Sequence, residues 1–354
     1  MTIFSSPAFE DHEGLHAFHD AAAGLNCLIA IHSTALGPAG GGTRMWPYPD
    51  DQAAIDDALR LSRAMSYKNA MAGIALGGGK TVIIGDSRTA KTPAMFEALG
   101  RAVESLGGRY WAAEDVGISP ADLAYARKET RFIAGLEGHP AASGDPSPVT
   151  AEGVKRGIEL CVRRALGKSL SEVTVAIQGV GHVGALLADK LAAAGARLVI
   201  CDVGADAVAT VAARTGAKIV VPEAIFDVDA DVFAPCALGG AISAQILPRL
   251  KAKIIAGGAN NQLADVATGH ALLDCGLTYA PDFVINGGGI INVAGEIRAL
   301  DRGEAFDPAW VEAKVAAMIG TLGEVLDRSV AERRPADQIA VQMARERIAA
   351  AKAR

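Results

Sequence analysis

Short apolar runs alternate with longer stretches whose apolar positions recur every three or four residues almost throughout the chain. The run CLIAIHS (27–33) is rich in strand formers, and DDQAAIDDALRLSRAMSYKNAMAG (50–73) carries the spacing of an amphipathic helix. TVIIGD, a helical stretch opening near Thr92-Pro93, and RYWAAED follow. Proline at the first helical position, with aspartate or serine just ahead of a helix, is the usual start signal. Glycine, proline and serine crowd GLEGHPAASGDPSPVT (135–150), which reads as a linker. Beyond it come a helix, the strand VTVAIQG (173–179), a helix and the strand RLVICD (197–202). The runs KIV, ADVFAP, KIIAGGAN and TYAPDFVIN complete the strand-like set, and from about Ala309 the pattern is helical. Such alternation predicts parallel strands with crossover helices, an α/β fold in two domains, 1–140 and 141–324. The pattern leaves open whether the last helices, about 325–354, pack back onto the first domain.

Composition narrows the classes. Among 354 residues, 34 basic and 40 acidic side chains give a net charge of −6, and no basic run is present. That excludes an electrostatic footprint for nucleic acid or an anionic membrane. No apolar run reaches the ~18 residues of a membrane span, and the opening MTIFSSPAFEDHEGLHAF lacks the features of a signal peptide. Five cysteines, odd in number and without Cys-x-x-Cys, argue against a disulfide framework or a cysteine-zinc site and for the cytoplasm. The 40 glycines, by contrast, exceed the usual share without any repeat, so their clusters point to chemistry.

The strongest cluster is Gly179-Val180-Gly181-His182-Val183-Gly184, a G-x-G-x-x-G directly after a strand and opening a helix. Gly179 permits the tight turn, Gly181 admits a pyrophosphate against the backbone, and Gly184 allows close helix–strand packing. The helix N-terminus then offers amide donors and partial positive charge to the phosphates. Asp202 ends the next strand, where a carboxylate accepts from adenosine ribose hydroxyls. Val203-Gly204-Ala205 supplies no cation for a 2′-phosphate, which favours NAD over NADP.

A second cluster, Gly77-Gly78-Gly79-Lys80-Thr81, falls short of a P-loop because the required first glycine lands on Ile74. It reads instead as backbone that lets a substrate lie close while Lys80 presents its amine. Lys68, twelve residues earlier, is a second candidate; two neighbouring, partly desolvated ammonium groups would free one as a base near neutrality. Gly40-Gly41-Gly42 reads as a loop, either a carboxylate nest or a flexible turn, and Glu114-Asp115 places a carboxylate at a strand end. His12-Glu13-Gly14-Leu15-His16 matches the H-E-x-x-H zinc signature, which works only on a helix; Gly14 and the missing downstream extension weigh against a metal.

Together GPAGGGTRMWPY, ALRLSRAMSYKNAMAGIALGGGKTVIIGD, AAEDVGIS, SGDPSPVTAEGV, QGVGHVG, APCALGG, GGANNQL and APDFVINGGGIINVAGE lie in order across residues 37–296. In this they resemble the superfamily of glutamate, leucine, phenylalanine and valine dehydrogenases, its leucine dehydrogenase branch most. The resemblance implies an N-terminal substrate-binding and catalytic domain, a C-terminal Rossmann NAD domain and an active-site cleft between them. It makes Lys80 the catalytic lysine and Asp115 the group that exchanges a proton with the substrate nitrogen. Lys68, the Gly41–Gly42 backbone and Asn261 would bind the substrate carboxylate. Thr150 and Asn286 would touch the nicotinamide end, and Ala237, Leu238 and Gly239 would line the cofactor ribose. The implied reaction takes an L-amino acid to a 2-oxo acid and ammonium, in a homo-oligomer, octamer or dimer.

By the same resemblance Gly40, Ala113, Ile290 and Val293 line the side-chain pocket. None is charged, which disfavours a glutamate side chain needing a cationic partner. Ala113 with branched Ile290 and Val293 suits a branched aliphatic substrate of the leucine type. Gly40 stands where the leucine-type pattern has leucine, which keeps phenylalanine or another bulky side chain open. Gly295, where the family usually has aspartate, is a second departure. Two remoter readings are a zinc hydrolase through His12 and His16 and a non-catalytic NAD-binding regulator.

Overall fold

The computed structural model describes residues 3–353 and divides into two compact units. The first takes the chain up to Asp145, Ile290–Val311 and the residues from Ala344 on; the second takes Pro146–Gly289 and Glu312–Met343.

In the first unit the strands β1 (Gly14–Asp20), β2 (Leu25–Ser33), β3 (Ala39–Trp46), β4 (Gly77–Ile84) and β5 (Tyr110–Glu114) form one sheet in the order β1-β2-β4-β3-β5. β1, β2 and β4 run antiparallel in turn, whereas β3 lies parallel between β4 and β5. The sheet is therefore mixed, not parallel throughout as the alternation alone predicts, and β1 was not anticipated. Helix α1 (Asp51–Ala72) starts at Asp50, whose side chain accepts from the Ala53 amide at 2.8 Å, and stops at Gly73 with φ +64°. Thr92 caps α2 (Pro93–Glu104), and Ser119 with Asp122 forms a capping box for α3 (Pro120–Ala126). Strand alternation sends Leu28, Ala30 and Val82 to Ala54 and Ala58 of α1, and Ile29, Ile31, Met45 and Ile83 to Phe96 and Leu99 of α2. Buried on both faces, β2 reads as an almost unbroken apolar run.

The second unit opens with α4 (Ser147–Leu166) and continues through β6 (Thr174–Gln178), α5 (His182–Ala193), β7 (Arg197–Cys201), α6 (Ala205–Thr215), β8 (Lys218–Ile219), β9 (Val232–Pro235), β10 (Ile254–Ile255), α7 (Val266–Asp274), β11 (Thr278–Tyr279) and α8 (Asp282–Ile285). All six strands are parallel in the order β11-β10-β9-β6-β7-β8, the doubly wound arrangement of a Rossmann domain. α9 (Gly288–Arg302), α10 (Pro308–Glu332) and α11 (Ala336–Lys352) complete the chain.

The sequence pattern draws the second domain as one stretch, 141–324, but Ile290–Val311 groups with the first unit. Side chains on α9 explain why. The Asn292 amide donates to the Ser143 carbonyl at 3.1 Å. The fully buried Glu296 carboxylate accepts from the amides of Gly135 (2.9 Å), Leu136 (3.3 Å) and Ser143 (3.1 Å), and from Ser143 Oγ at 2.7 Å. Gly295 also finds its reason here: a Cβ would come within 2.9 Å of Phe306 and Val311, so glycine lets both pack against α9. At the other end of the chain, Arg345 donates to Tyr67 Oη and to Glu10, and Arg347 to the Ala70 carbonyl.

Candidate active site

β3, β4 and β5 lie in register, Gly42 opposite Ala113 and Thr43 opposite Thr81, which brings Gly42, Lys80 and Ala113 to one level. Gly40–Gly42, which reads as a loop, lies within β3, Gly77–Gly79 opens β4, and protein fills the space these glycines leave. A Cβ on Gly41 would sit 1.8 Å from the Gly79 carbonyl, on Gly78 2.1 Å from the Ser66 amide, and on Gly79 2.6 Å from the Tyr110 ring. Gly77–Gly79 thus let α1 and Tyr110 close onto the sheet; they do not hold room for a substrate. Gly42 differs, because its Cβ would press on Asp115 Cβ and come 3.2 Å from Lys80 Nζ.

Lys80 and Asp115 meet at 2.6 Å, Nζ to Oδ2, with the lysine 5% exposed and the carboxylate partly open. Burial pulls the Lys80 ammonium below the ordinary lysine range, against the pull of Asp115. Burial alone would raise Asp115, but Lys80 and Arg44 outweigh it and hold the carboxyl low. An amine inclined to lose its proton therefore sits beside an ionised carboxylate, a pair suited to proton transfer. Next to it, burial and the nearby Asp145, Glu137 and Asp115 raise Glu114.

Arg44 is the residue that motif reasoning missed. It lies two positions beyond Gly42 on the same face of β3, and its Nε donates to Asp115 Oδ2 at 3.1 Å while Nη1 donates to Asp57 of α1 at 3.1 Å. Its place in TRMWPY was visible, but its partners lie 13 and 71 residues away. Lys68 is half-buried on α1. Gly40 turns toward Leu76, whose Cδ1 would lie 3.1 Å from an added Cβ; Ala113 is buried on β5. Ile290 and Val293, three residues apart on α9, are half-buried.

In the second unit the glycine turn follows β6 directly. Gly179 has φ +95° and packs against Ala237, while a Cβ on Gly184 would sit 2.0 Å from the Gly179 carbonyl, so glycine sets the approach of α5 to the strand. Gly181 precedes α5 without a side-chain cap, and a Cβ there would meet nothing within 4 Å. His182 is exposed and Val183 half-buried at this uncapped helix start, an arrangement suited to an anion. Val180 is buried, and its amide donates to Asp202 Oδ2 at 2.7 Å; Gly204 donates to Oδ1 at 3.0 Å. Burial would raise the Asp202 carboxyl, but these amides hold it down, so it is ionised near neutrality. Asn286 donates to Asn260 Oδ1 at 2.7 Å, and its own Oδ1 is buried without a hydrogen-bond partner. Thr150 Oγ1 donates to the Pro146 carbonyl at 3.0 Å. Ala237, Leu238 and Gly239 form an exposed turn, and Asn261 is exposed with φ +51°. An uncapped helix start over open space, an ionised carboxylate at the next strand end and an orphaned amide oxygen fit a dinucleotide.

The H-E-x-x-H segment takes another form from the one zinc requires. His16 lies on β1, and His12 precedes that strand with Nε2 donating to the Leu59 carbonyl at 2.9 Å and Nδ1 accepting from the Glu10 amide. Glu13 accepts from the amide and hydroxyl of Thr34. Without a helix the two histidines do not share a face one turn apart, so the zinc-hydrolase reading loses its geometry. Among the described residues no group of three or more metal-binding side chains is assembled, and no helix is long and apolar enough to cross a membrane.

Comparison with known proteins agrees with this geometry. Residues 14–132 match the model described as Glu/Leu/Phe/Val dehydrogenase, dimerisation domain, and residues 203–354 match Glutamate/Leucine/Phenylalanine/Valine dehydrogenase. A leucine dehydrogenase from Bacillus cereus is 45% identical over 353 residues, 99% of this chain and 95% of that protein. A phenylalanine dehydrogenase from Lysinibacillus sphaericus is 44% identical over 293 residues, 81% of this chain and 77% of that one. The crystal structure of L-tryptophan dehydrogenase from Nostoc punctiforme superposes with a TM-score of 0.85 at 37% identity, covering 97% of each chain. With both halves matched and similarity running nearly end to end, the chain belongs to the glutamate/leucine/phenylalanine/valine dehydrogenase family of amino acid dehydrogenases.

Proposed function

We propose that this enzyme catalyses the NAD-dependent, reversible oxidative deamination of an L-amino acid with a branched aliphatic side chain, yielding the 2-oxo acid and ammonium. The 2.6 Å contact between buried Lys80 and Asp115 carries the reading, because it joins a lysine of lowered pKa to an ionised carboxylate. Bound NAD+ supplies the hydride acceptor for Cα. Gly179 to Gly184 and Asp202 would hold its pyrophosphate and ribose, and the ionised Asp202 would repel a 2′-phosphate, which favours NAD. Thr150 and Asn286 would meet its nicotinamide end, and Ala237 to Gly239 its ribose.

Lys68 and the Gly41–Gly42 backbone would bind the substrate carboxylate. Neutral Lys80 takes a proton from water as that water attacks the iminium carbon. Asp115 exchanges a proton with the substrate nitrogen, and the carbinolamine collapses to the oxo acid and ammonium. Gly40, Ala113, Ile290 and Val293 offer no charge to a side-chain carboxylate, which supports an apolar substrate. The missing side chain at Gly40 supports a second reading, an aromatic or other bulky substrate. A homo-oligomer assembled through the first unit, and a cytoplasmic location, belong to the same proposal.

The test is NADH oxidation with ammonium and 4-methyl-2-oxopentanoate, phenylpyruvate or 2-oxoglutarate. Turnover of the first above the others is expected. A phenylpyruvate preference would move the assignment to the bulky class, and turnover of none would overturn it. Repeating the best case with NADPH tests the role of Asp202.

A further inference from the structure

Asp115 is held from two sides, and the mechanism above uses only one of them. Lys80 Nζ reaches Oδ2 from β4 at 2.6 Å, and Arg44 Nε reaches the same oxygen from β3 at 3.1 Å. Arg44 is itself held. Its Nη1 lies 3.1 Å from Asp57 Oδ2, an oxygen that also accepts from Tyr48 Oη at 2.6 Å, while Asp57 Oδ1 accepts from Arg60 at 2.5 Å. A planar guanidinium bridging two carboxylates has little freedom to turn, unlike a lysine ammonium on a flexible stem. Its side chain is about three-quarters buried, so solvent screens these contacts incompletely.

We propose that Arg44 is a positioning residue for Asp115: by occupying Oδ2 together with Lys80, it fixes the carboxylate plane and leaves Oδ1 as the oxygen that exchanges the proton. In deamination the substrate N–H bond breaks as the Oδ1–H bond forms, and the same proton returns to nitrogen as the carbinolamine C–N bond breaks; amination runs the two transfers in reverse. The cations stay on Oδ2 in both directions, so the carboxylate need not reorient between the two transfers. Asp57, Tyr48 and Arg60 aim Arg44 without touching Asp115. Lys80 from β4 and Arg44 from β3 act on Asp115, the Val116 amide hydrogen-bonds its carboxylate, Glu114 precedes it on β5, and Lys68 lies on α1. Lys80 and Arg44 are the cations that hydrogen-bond Asp115 Oδ2, so removing Arg44 takes away one of that pair. The inference rests on the proposed role of Asp115, and its test separates the two.

The experiment measures kcat, KM and the pH profile of the full-length enzyme with its best 2-oxo acid, for Arg44→Gln, Arg44→Lys and Asp115→Asn. Arg44→Gln is expected to lower kcat tenfold or more with KM for the oxo acid within about threefold. The limb of the profile that reports Asp115 should move up by about one pH unit, because an opposite charge at this distance lowers a carboxyl by that order. Arg44→Lys should restore the limb, since charge returns, but only part of kcat, since the fork does not. Circular dichroism and the unfolding midpoint check that each variant is folded; if Arg44→Gln is not, Tyr48→Phe, which loosens Arg44 from behind, should move kcat and the limb the same way by less. A profile and kcat unchanged within twofold in the folded variants, with Asp115→Asn inactive, would overturn the inference alone. An active Asp115→Asn would overturn the role of Asp115 itself.

Discussion

Glu296 offers the sharpest test of how the first unit is held together. Its carboxylate is fully buried and accepts four hydrogen bonds of 2.7–3.3 Å, from the amides of Gly135, Leu136 and Ser143 and the Ser143 hydroxyl. In Glu296→Ala the hydroxyl can turn elsewhere, but three amides lose their acceptor. Each orphaned buried donor costs about 1–3 kcal/mol, and water entering beside the half-buried His139 would relieve part of it. A net loss of about 3–5 kcal/mol follows, in line with breaking a buried charged network. Glu296→Gln keeps the shape but aims an NH2 group at one pair of donors, so it should recover less than half. Amide hydrogen exchange is the assay, because it reports the three amides separately. A loss of about 3 kcal/mol should speed their exchange roughly a hundredfold, while amides in the β6–β7 ladder keep their rates. Exchange at Gly135, Leu136 and Ser143 within threefold of the parent would refute the reasoning.

Three further predictions concern stability and catalysis. His32 is buried, hydrogen-bonded to Ser66 Oγ at 2.7 Å and stacked edge-on against His12, and burial lowers its pKa to about 4 from 6.5. Between those values the unfolded chain binds a proton that the folded chain refuses, so stability falls as pH drops; the loss should reach about 2 kcal/mol at pH 5. Urea unfolding at pH 7.5 and 5 should show that His32→Asn flattens this slope, and an unchanged slope would assign it elsewhere. Gly78→Ala drives a methyl to 2.1 Å from the Ser66 amide and should cost about 1–3 kcal/mol as α1 lifts off the sheet; an unshifted unfolding midpoint would show that the helix yields freely. Lys80→Ala should lower kcat by about a hundredfold or more while NADH binding, followed by fluorescence, is unchanged. In the parent, deamination should rise with pH through a value below the ~10.4 of ordinary lysine, since only the neutral amine accepts a proton.

What the sequence discloses tracks how local each signal is. The turn at Gly179–Gly184 and the carboxylate of Asp202 were legible because a strand, a turn and a helix follow one another within a few dozen residues. The run at Gly40–Gly42 misled, because glycine is depleted in strands, and only close neighbours on other elements, Leu76, Gly79 and Asp115, explain why a strand needed it here; Ser66 and Tyr110 do the same for Gly78 and Gly79. β1 went unread because its residues GLHAFHD are half-buried to exposed and show no apolar alternation; pairing with β2 defines it. Arg44 and Asp57 were hidden for a different reason. A charged residue in a motif looks like surface until a fold supplies its partner. Gly295 is the reverse case, a departure without local meaning until Phe306 and Val311 pack against it.

The first unit is sewn from three separated stretches of chain, and that has a consequence for its birth on the ribosome. Its sheet emerges early, yet Glu296 arrives about 150 residues after the Ser143 loop it will hold, and Arg345 arrives 335 residues after its partner Glu10. At roughly 5–20 residues per second, the 200 residues between Asp145 and Arg345 take about 10–40 s to make. The half of the protein synthesised first is thus the last to be sealed. Nascent chains halted before Arg345 should display Tyr67 and the end of α1 to chaperones and proteases, so synthesis of α11 is the step that seals the first unit.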